Sequence, residues 1–291
     1  MLKRLLATLR LLSAGALAGY LVAGAALWAW QRHLVFEPSR QMRAAAADFP
    51  FRVVDTAVAL AGQPRDALHG WWVPGTQDAT VLYLHGNDGN VSTSMPGIAP
   101  LRALGYGVFL IDYRGYGRSD GAFPSERSVY EDAEAAWRHL VEAKRIDPRR
   151  IYIYGHSLGG AVAIELATRH PEAAGLIVES SFTSIYDMAR LEKPYRLFPV
   201  KLFLNQRFDS IDKVARLRLP TLFIHGTADE VVPFAMGEAL YRRAGGRKRF
   251  VAIDGGRHET NAAAGGEAFL SALRGFVAET QPQRGLYSSS M

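Results

Sequence analysis

The chain has 291 residues, 48% of them hydrophobic, which is enough for one large α/β domain or two small ones. It contains no cysteine, so disulfides, thiolate metal sites and thiol catalysis are excluded. The net charge is +6, and four of the excess cations lie within residues 1–32, where there is no acid. The remainder has no basic block interleaved with aromatics, so we expect no nucleic-acid partner.

The first predicted element is an apolar helix from Leu11 to Trp30, a run without a charged residue. At about 1.5 Å per residue it would extend about 30 Å, the hydrocarbon thickness of a bilayer. Trp28 and Trp30 lie where interfacial aromatic residues are found. We therefore predict a single-pass anchor over residues 1–32. The alternative is a signal peptide cleaved near Ala23-Gly24-Ala25, which would leave a secreted protein.

Basic residues indicate how the anchor is oriented. Lys3, Arg4 and Arg10 cluster before the span, which favours a cytoplasmic N terminus and a domain on the other side of the membrane. Residues 33–50 are predicted to be a connector, residues 51–281 the globular domain, and residues 282–291 a flexible polar tail.

Strands and helices alternate along the domain. Short β-branched and aromatic runs predict strands, and helical periodicity predicts helices between and after them. Ser125 is a suitable N-cap, and Val129, Ala133, Ala136 and Leu140 form one apolar helical face. This alternation predicts an α/β fold with a mainly parallel central sheet covered by helices on both faces. The predicted strands are 51–60, 67–73, 80–84, 107–111, 151–154, 175–178, 219–224 and 250–253, and the predicted helices are 125–146, 161–168, 234–243 and 266–280.

A strand enters a helix through Gly155-His156-Ser157-Leu158-Gly159. A G-x-S-x-G turn in this setting is sharp and presents its serine at the end of the sheet, beside the N terminus of a helix. Ser157 is therefore the predicted nucleophile. Gly117-Arg118-Ser119-Asp120-Gly121 matches the same pattern but lies among turn-forming residues with no helix following, so we interpret it as a turn.

A nucleophilic serine needs a base and an acid that orients the base. In hydrolases with such a turn, the acid and then the histidine follow the serine, each in a loop after a strand. Asp229 and His258 occupy those places, and we predict that they serve as the orienting carboxylate and the general base. Asp254 and Glu179 remain alternative acids. The other seven histidines are interpreted as structural.

An oxyanion hole requires two backbone N–H donors near the serine. One is predicted at Leu158, the residue after the nucleophile. The other is predicted at Asn87, in the loop 85–90 that follows the strand 80–84.

Residues 184–208 interrupt the alternation of strands and helices. Their apolar residues form either one side of a helical connection or an acyl-binding wall over Ser157. On the second interpretation the predicted substrate contacts are Met188, Leu191, Tyr195 and Phe198. The segment is too short for a separate lid domain.

From about residue 51 to residue 280 the chain resembles the α/β-hydrolase superfamily, and more narrowly a membrane-anchored, lidless branch. Four stretches carry this resemblance: Leu34-Val35-Phe36-Glu37-Pro38, the loop 85–90, the motif Asp112-Tyr113-Arg114-Gly115-Tyr116-Gly117, and the turn 155–159, which we call the elbow, with Gly160. That branch includes protein depalmitoylases and lipid hydrolases. The resemblance thus implies cleavage of acyl esters or thioesters, and we expect a bacterial inner-membrane location.

The resulting hypothesis is a serine hydrolase that cleaves esters or thioesters through an acyl-serine intermediate, on lipid-like or acylated substrates. This chemistry needs no cofactor and no metal, and we expect neither. The alternatives are a serine peptidase or aminopeptidase of the same fold and a non-catalytic membrane-tethered adaptor. The sequence does not fix the oligomeric state.

Overall fold

The computed structural model describes residues 1–60 and 62–281, and the tail predicted at 282–291 lies outside this range. Within these residues a main sheet of eight strands forms the centre of the domain. A two-residue pair, Glu37–Pro38 with Asp88–Gly89, lies apart from it. The strands of the main sheet are β1 Val54–Leu60, β2 Gln63–Val73, β3 Thr80–Leu84, β4 Gly107–Ile111, β5 Ile151–His156, β6 Gly175–Glu179, β7 Thr221–Gly226 and β8 Lys248–Ile253.

The strand order across the sheet is β8-β7-β6-β5-β3-β4-β2-β1. Strand β2 is antiparallel to both of its neighbours, β1 and β4, and every other pairing is parallel. The predicted mainly parallel sheet is confirmed. Because the carboxyl ends of parallel strands share one edge, the loops after β3, β5, β7 and β8 meet there.

Helices cover both faces of the sheet, as the sequence predicted. Ser125 caps α3, its hydroxyl accepting a hydrogen bond from Ser128 N at 3.2 Å, and the predicted apolar face of that helix is buried. The described helices are α1 Leu2–Val35, α2 Met95–Ala103, α3 Glu126–Arg138, α4 Leu158–Arg169, α5 Ile185–Leu191, α6 Val200–Phe203, α7 Ser210–Lys213, α8 Phe234–Arg243 and α9 Asn261–Thr280.

Two helices depart from the predicted bounds. Helix α3 ends at Arg138 and continues as a π turn, His139–Ala143, where a single helix to residue 146 was predicted. Helix α9 begins at Asn261 but is kinked at Gly266, whose φ of 47° is not helical, and the predicted start at 266 marks that kink.

The core has one layer on each side of the sheet. Leu82 and Leu84 point to the layer under α3, α4 and α8, whereas Val81 and Tyr83 point to the layer under α2 and α9. This alternation is the two-residue period of a strand buried on both faces, which explains the uninterrupted apolar run of β3.

Helix α1 is the one described helix that is long and apolar enough to cross a membrane. It runs without a break from Leu2 to Val35, so the boundary predicted at residue 32 falls inside it. The chain becomes extended at Phe36 and enters the short pairing of Glu37–Pro38 with Asp88–Gly89.

Candidate active site

The elbow between β5 and α4 holds Ser157 in a strained conformation. Its φ is 55° and its ψ is −121°, outside the regions that residues with a Cβ prefer. A Cβ on Gly155 would lie 2.1 Å from Gly159 O, and one on Gly159 would lie 2.0 Å from Leu84 O. Glycine is therefore required at both positions, which is how the sequence builds so tight a turn.

The structure brings together the three side chains predicted to form a triad. His258 Nε2 lies 2.9 Å from Ser157 Oγ. His258 Nδ1 lies 3.0 and 2.9 Å from the two carboxylate oxygens of Asp229. With Nδ1–H donating to the carboxylate, Nε2 is left to accept the proton of the serine hydroxyl. Asp229 and His258 come from the loops after β7 and β8, at the same sheet edge as the elbow.

Asp229 is held as a carboxylate. Burial alone would raise its pKa, but hydrogen bonds from His225 and His258 and from the Val232 N–H outweigh burial and bring the pKa well below its usual range. His225 Nε2 lies 3.3 Å from Asp229 Oδ2 and 3.0 Å from the Val232 carbonyl. The second contact of Asp229, through His225, was not predicted from the sequence.

The two predicted oxyanion donors lie at the same place. Asn87 and Leu158 both line the cavity that contains Ser157. Leu158 is the first residue of α4, so its N–H is one of the unpaired donors at a helix N terminus.

The motifs that carried the family resemblance converge on the Asn87 loop. The Asn87 carbonyl accepts hydrogen bonds from Tyr116 Oη at 2.6 Å and from Glu37 N at 2.8 Å. Buried Asp112 accepts one from Val91 N at 2.7 Å. These bonds fix the loop that carries the Asn87 N–H. The segments 34–38 and 112–117 therefore both position that loop.

The rival acids lie elsewhere. Glu179 accepts hydrogen bonds from Tyr154 and Asn261 beneath the elbow. Asp254 is exposed, and Thr227 Oγ1 lies 3.4 Å from it. Neither contacts His258 in the described contacts. The second G-x-S-x-G serine, Ser119, is a turn residue as predicted: its buried hydroxyl donates to Asp112 O at 2.5 Å and accepts from His69 N at 2.8 Å.

One group of potential metal ligands, His156, His258 and Glu259, occurs among the described residues. Both ring nitrogens of His258 are already bonded, to Ser157 and Asp229. His156 Nε2 lies 3.0 Å from the His258 carbonyl, which can only accept, so this nitrogen carries a proton. The group therefore fits the positioning of the His258 loop rather than the binding of a metal ion.

A cavity of about 510 Å³ extends from Ser157, within the size range of small-molecule sites. All four predicted substrate contacts, Met188, Leu191, Tyr195 and Phe198, line it. They belong to residues 185–204, which we call the cap segment: α5, the 3-10 turn Lys193–Leu197 and α6.

The opposite wall of the cavity was not predicted. It is formed by α1, through Gly24, Leu27, Trp28, Gln31, Leu34 and Val35. All of these except Gln31 are apolar or glycine, which a membrane span explains equally well, so no local signal marked them as part of the cavity.

A family profile described as "Serine aminopeptidase, S33" matches residues 75–211 and 205–262. An uncharacterized protein of Mycobacterium tuberculosis is 35% identical over 258 residues, covering 87% of this chain and 89% of that protein. The alpha/beta hydrolase domain-containing protein WAV2 of Arabidopsis thaliana is 31% identical over 291 residues, covering 91% of this chain and 94% of that protein.

Among solved structures, an esterase of Pyrococcus furiosus superimposes with a TM-score of 0.71 at 20% identity. The match covers 85% of this chain and 99% of the esterase. At this identity the similarity establishes the fold alone.

Proposed function

Since this chain belongs to the α/β-hydrolases described as serine aminopeptidase, S33, and is therefore a hydrolase, we propose that it cleaves carboxylic esters or thioesters through an acyl-serine intermediate. The observation that carries this proposal is the pair of hydrogen bonds at His258: Ser157 Oγ donates to Nε2 at 2.9 Å, and Nδ1 donates to Asp229 at 2.9 Å. An apolar cavity beginning at the same serine supports an acyl group as the substrate moiety.

In the proposed reaction, Ser157 Oγ attacks the acyl carbon while His258 Nε2 takes the hydroxyl proton. The N–H groups of Asn87 and Leu158 stabilise the oxyanion. His258 then donates its proton to the departing alkoxide or thiolate. Water, deprotonated by His258, then attacks the acyl carbon. The bond to Ser157 Oγ breaks, His258 returns the proton to Oγ, and the carboxylic acid is released. Asp229 remains ionised throughout, because its pKa is held low.

The family description favours a second candidate, an aminopeptidase. Such an enzyme needs an unpaired carboxylate near the serine to bind the substrate ammonium. Of the two carboxylates on the described cavity wall, Glu230 is paired with Arg257 at 2.8 Å, and Glu192 of the cap segment is the remaining one. The other lining residues are mostly apolar, which favours an acyl group over a substrate ammonium.

We further propose that α1 is a retained membrane anchor. The Tyr20 and Phe198 rings stack at 5.0 Å, so residues before the possible cleavage site at 23–25 contact the domain. The mature protein should remain in membranes after alkaline carbonate extraction, and intact mass should include residues 1–25. A mature chain that begins at Ala26 would overturn the anchor.

The catalytic proposal is tested with the full-length protein in detergent micelles. Ser157→Ala should abolish labelling by a fluorophosphonate probe and lower kcat by about 10⁶-fold, since the nucleophile is lost. Ser119→Ala, the matched control in the second G-x-S-x-G, should keep the label. Labelling of the Ser157→Ala protein would overturn the assignment. Parallel assays with acyl esters, S-acyl peptides and aminoacyl anilides distinguish ester, thioester and aminopeptidase activity.

A further inference from the structure

The C-terminal third of α1 presents one face to the active site. Gly24, Leu27 and Trp28, Gln31, and Leu34 and Val35 recur at intervals of three and four residues, which is a single stripe on a helix. The cavity that contains Ser157 runs along this stripe. The predicted anchor is therefore also a wall of the substrate cavity.

The cap segment holds α1 in this position from the other side of the cavity. Tyr20 stacks on Phe198 with the ring planes 9° apart, and its hydroxyl donates to Leu197 O at 3.0 Å. Farther along α1, Gln31 Nε2 donates to Phe203 O of the cap segment at 3.3 Å, and Gln31 Oε1 accepts from Asn205 N, directly after that segment, at 2.8 Å. These contacts span about 16 Å of the helix, three turns.

With α1 spanning a membrane as proposed, these contacts place the cap segment beside one leaflet. They extend from Tyr20, at the middle of the predicted span Leu11 to Trp30, to Gln31, directly after it. Leu197 and Leu202 of the cap segment are 75% and 81% exposed. Large apolar side chains with this exposure are unfavourable in water and are typical of a surface that contacts a membrane or a partner.

Exposed Lys193, Arg196 and Lys201 alternate with these leucines. Mixed basic and apolar side chains are typical of a segment at the headgroup boundary, where the cations contact phosphates.

We propose that α1 and the cap segment together form an acyl-binding chamber that is filled from the surrounding leaflet, with the α1 face Gly24 to Val35 setting the acyl-chain length. This inference rests on the proposed hydrolase function, whose substrate it specifies as a long acyl chain already inserted in the membrane. Ser157 lines this cavity together with α1 and the cap segment, and the exposed Leu197 and Leu202 belong to the same segment.

The length of the chamber can be changed from α1. A Cβ on Gly24 would lie 3.9 Å from Phe198 Cδ1, so Gly24→Phe fills the cavity next to the cap segment. Gly19→Phe is the matched control on the same helix, because a Cβ on Gly19 would meet nothing within 4 Å. Trp28→Ala enlarges the cavity, and Trp30→Ala, an exposed tryptophan outside the lining, is its control.

The assay compares kcat/KM for hexadecanoyl and butanoyl esters with the full chain in phosphatidylcholine vesicles. Gly24→Phe should lower the long-to-short ratio at least about tenfold, since several methylene contacts are lost. Trp28→Ala should shift the optimum to longer chains, and both control variants should keep the wild-type ratio. Equal loss on both esters, or a ratio unchanged by Gly24→Phe, would overturn the proposal.

A second measurement does not depend on turnover. The Ser157→Ala protein in the same vesicles is irradiated with a diazirine-bearing hexadecanoyl probe, and the labelled peptides are identified by mass spectrometry. Labels on the cavity-lining residues Phe182 and Met188 of the domain support the chamber, even in a protein without esterase activity. Labels confined to α1, which the surrounding lipid reaches in any case, would overturn it.

Discussion

Asp229 has two histidine partners, and only one of them contacts the nucleophile. His258 links the carboxylate to Ser157, whereas His225 also contacts the Val232 carbonyl and holds Asp229 in its loop. Position along the chain favoured Asp229 over Asp254, because Asp254 lies directly after its strand, whereas Asp229 lies farther into the loop after β7. The second histidine could not be predicted, since its contact depends on the course of the loop 226–232.

We predict that Asp229→Asn lowers kcat by about 10⁴-fold, because the amide favours the wrong tautomer of His258. Turnover of a butanoyl ester measures the loss, and circular dichroism checks that the variant is folded. Asp254→Asn is the matched control: it is exposed and should keep wild-type turnover. Equal losses in the two variants would contradict the assignment of the acid.

At the scale of single elements, the elbow depends on backbone contact between β5 and α4. Gly155→Ala should lower the free energy of unfolding by about 1–3 kcal/mol, since its methyl group cannot fit beside Gly159 O without displacing it. Thermal unfolding followed by circular dichroism measures the change.

A glycine in α9 is the opposite case. A Cβ on Gly275 would meet Arg249 Nη1 at an ordinary 3.5 Å, so Gly275→Ala should stabilise the protein by about 0.4–1 kcal/mol. Destabilisation of similar size in both variants would show that general helix packing, rather than the elbow contact, sets the cost.

A half-buried histidine, His69, joins the antiparallel edge of the sheet to the loop after β4. His69 Nδ1 lies 2.7 Å from Asp112 Oδ2 and Nε2 lies 2.8 Å from Asp55 Oδ1, with Arg118 3.7 Å from Asp55. Burial alone would lower the pKa of His69, but the hydrogen bonds to the two carboxylates outweigh it and raise the pKa.

The raised pKa makes stability depend on pH. Protonated His69 contributes fully below the unfolded pKa of about 6.5, and the contribution is lost as the pH rises through the higher folded value. The free energy of unfolding should therefore fall as the pH rises above 6.5, and His69→Gln should flatten that part of the profile. The exposed His33→Gln control should keep the wild-type slope, which urea unfolding at a series of pH values measures.

At the scale of the whole molecule, Gln31 joins the anchor to the domain. Gln31→Leu would leave the N–H groups of Asn205 and Gln206 without this acceptor, at a cost of about 1–3 kcal/mol. We predict faster limited proteolysis within residues 190–204, followed by mass spectrometry. Gln41→Leu, an exposed position, should leave the cleavage rate unchanged, and equal rates in all three proteins would contradict the coupling.

Local pattern predicted the sheet and the meeting of Ser157, Asp229 and His258 at its edge, because both depend on the order of strands and their end loops. It missed α2, where Pro96, Gly97 and Pro100 interrupt the helical pattern although the helix is docked by buried Ile98 and Leu101. It also missed the cavity wall, since Tyr20 and Leu197 are 177 residues apart and nothing near either residue signals the contact. Contacts of this kind follow from the fold, which must first be known.

Helix α1 is connected to the domain without a flexible linker. The helix ends at Val35, and Glu37, two residues later, is already bonded to the Asn87 carbonyl. With α1 in a membrane, such a stiff connection keeps the serine at one height relative to the lipid phosphates. We therefore expect Ser157 to cleave ester or thioester bonds that lie at its own height. Identical bonds a few ångströms nearer the bilayer midplane or farther out in water should escape cleavage.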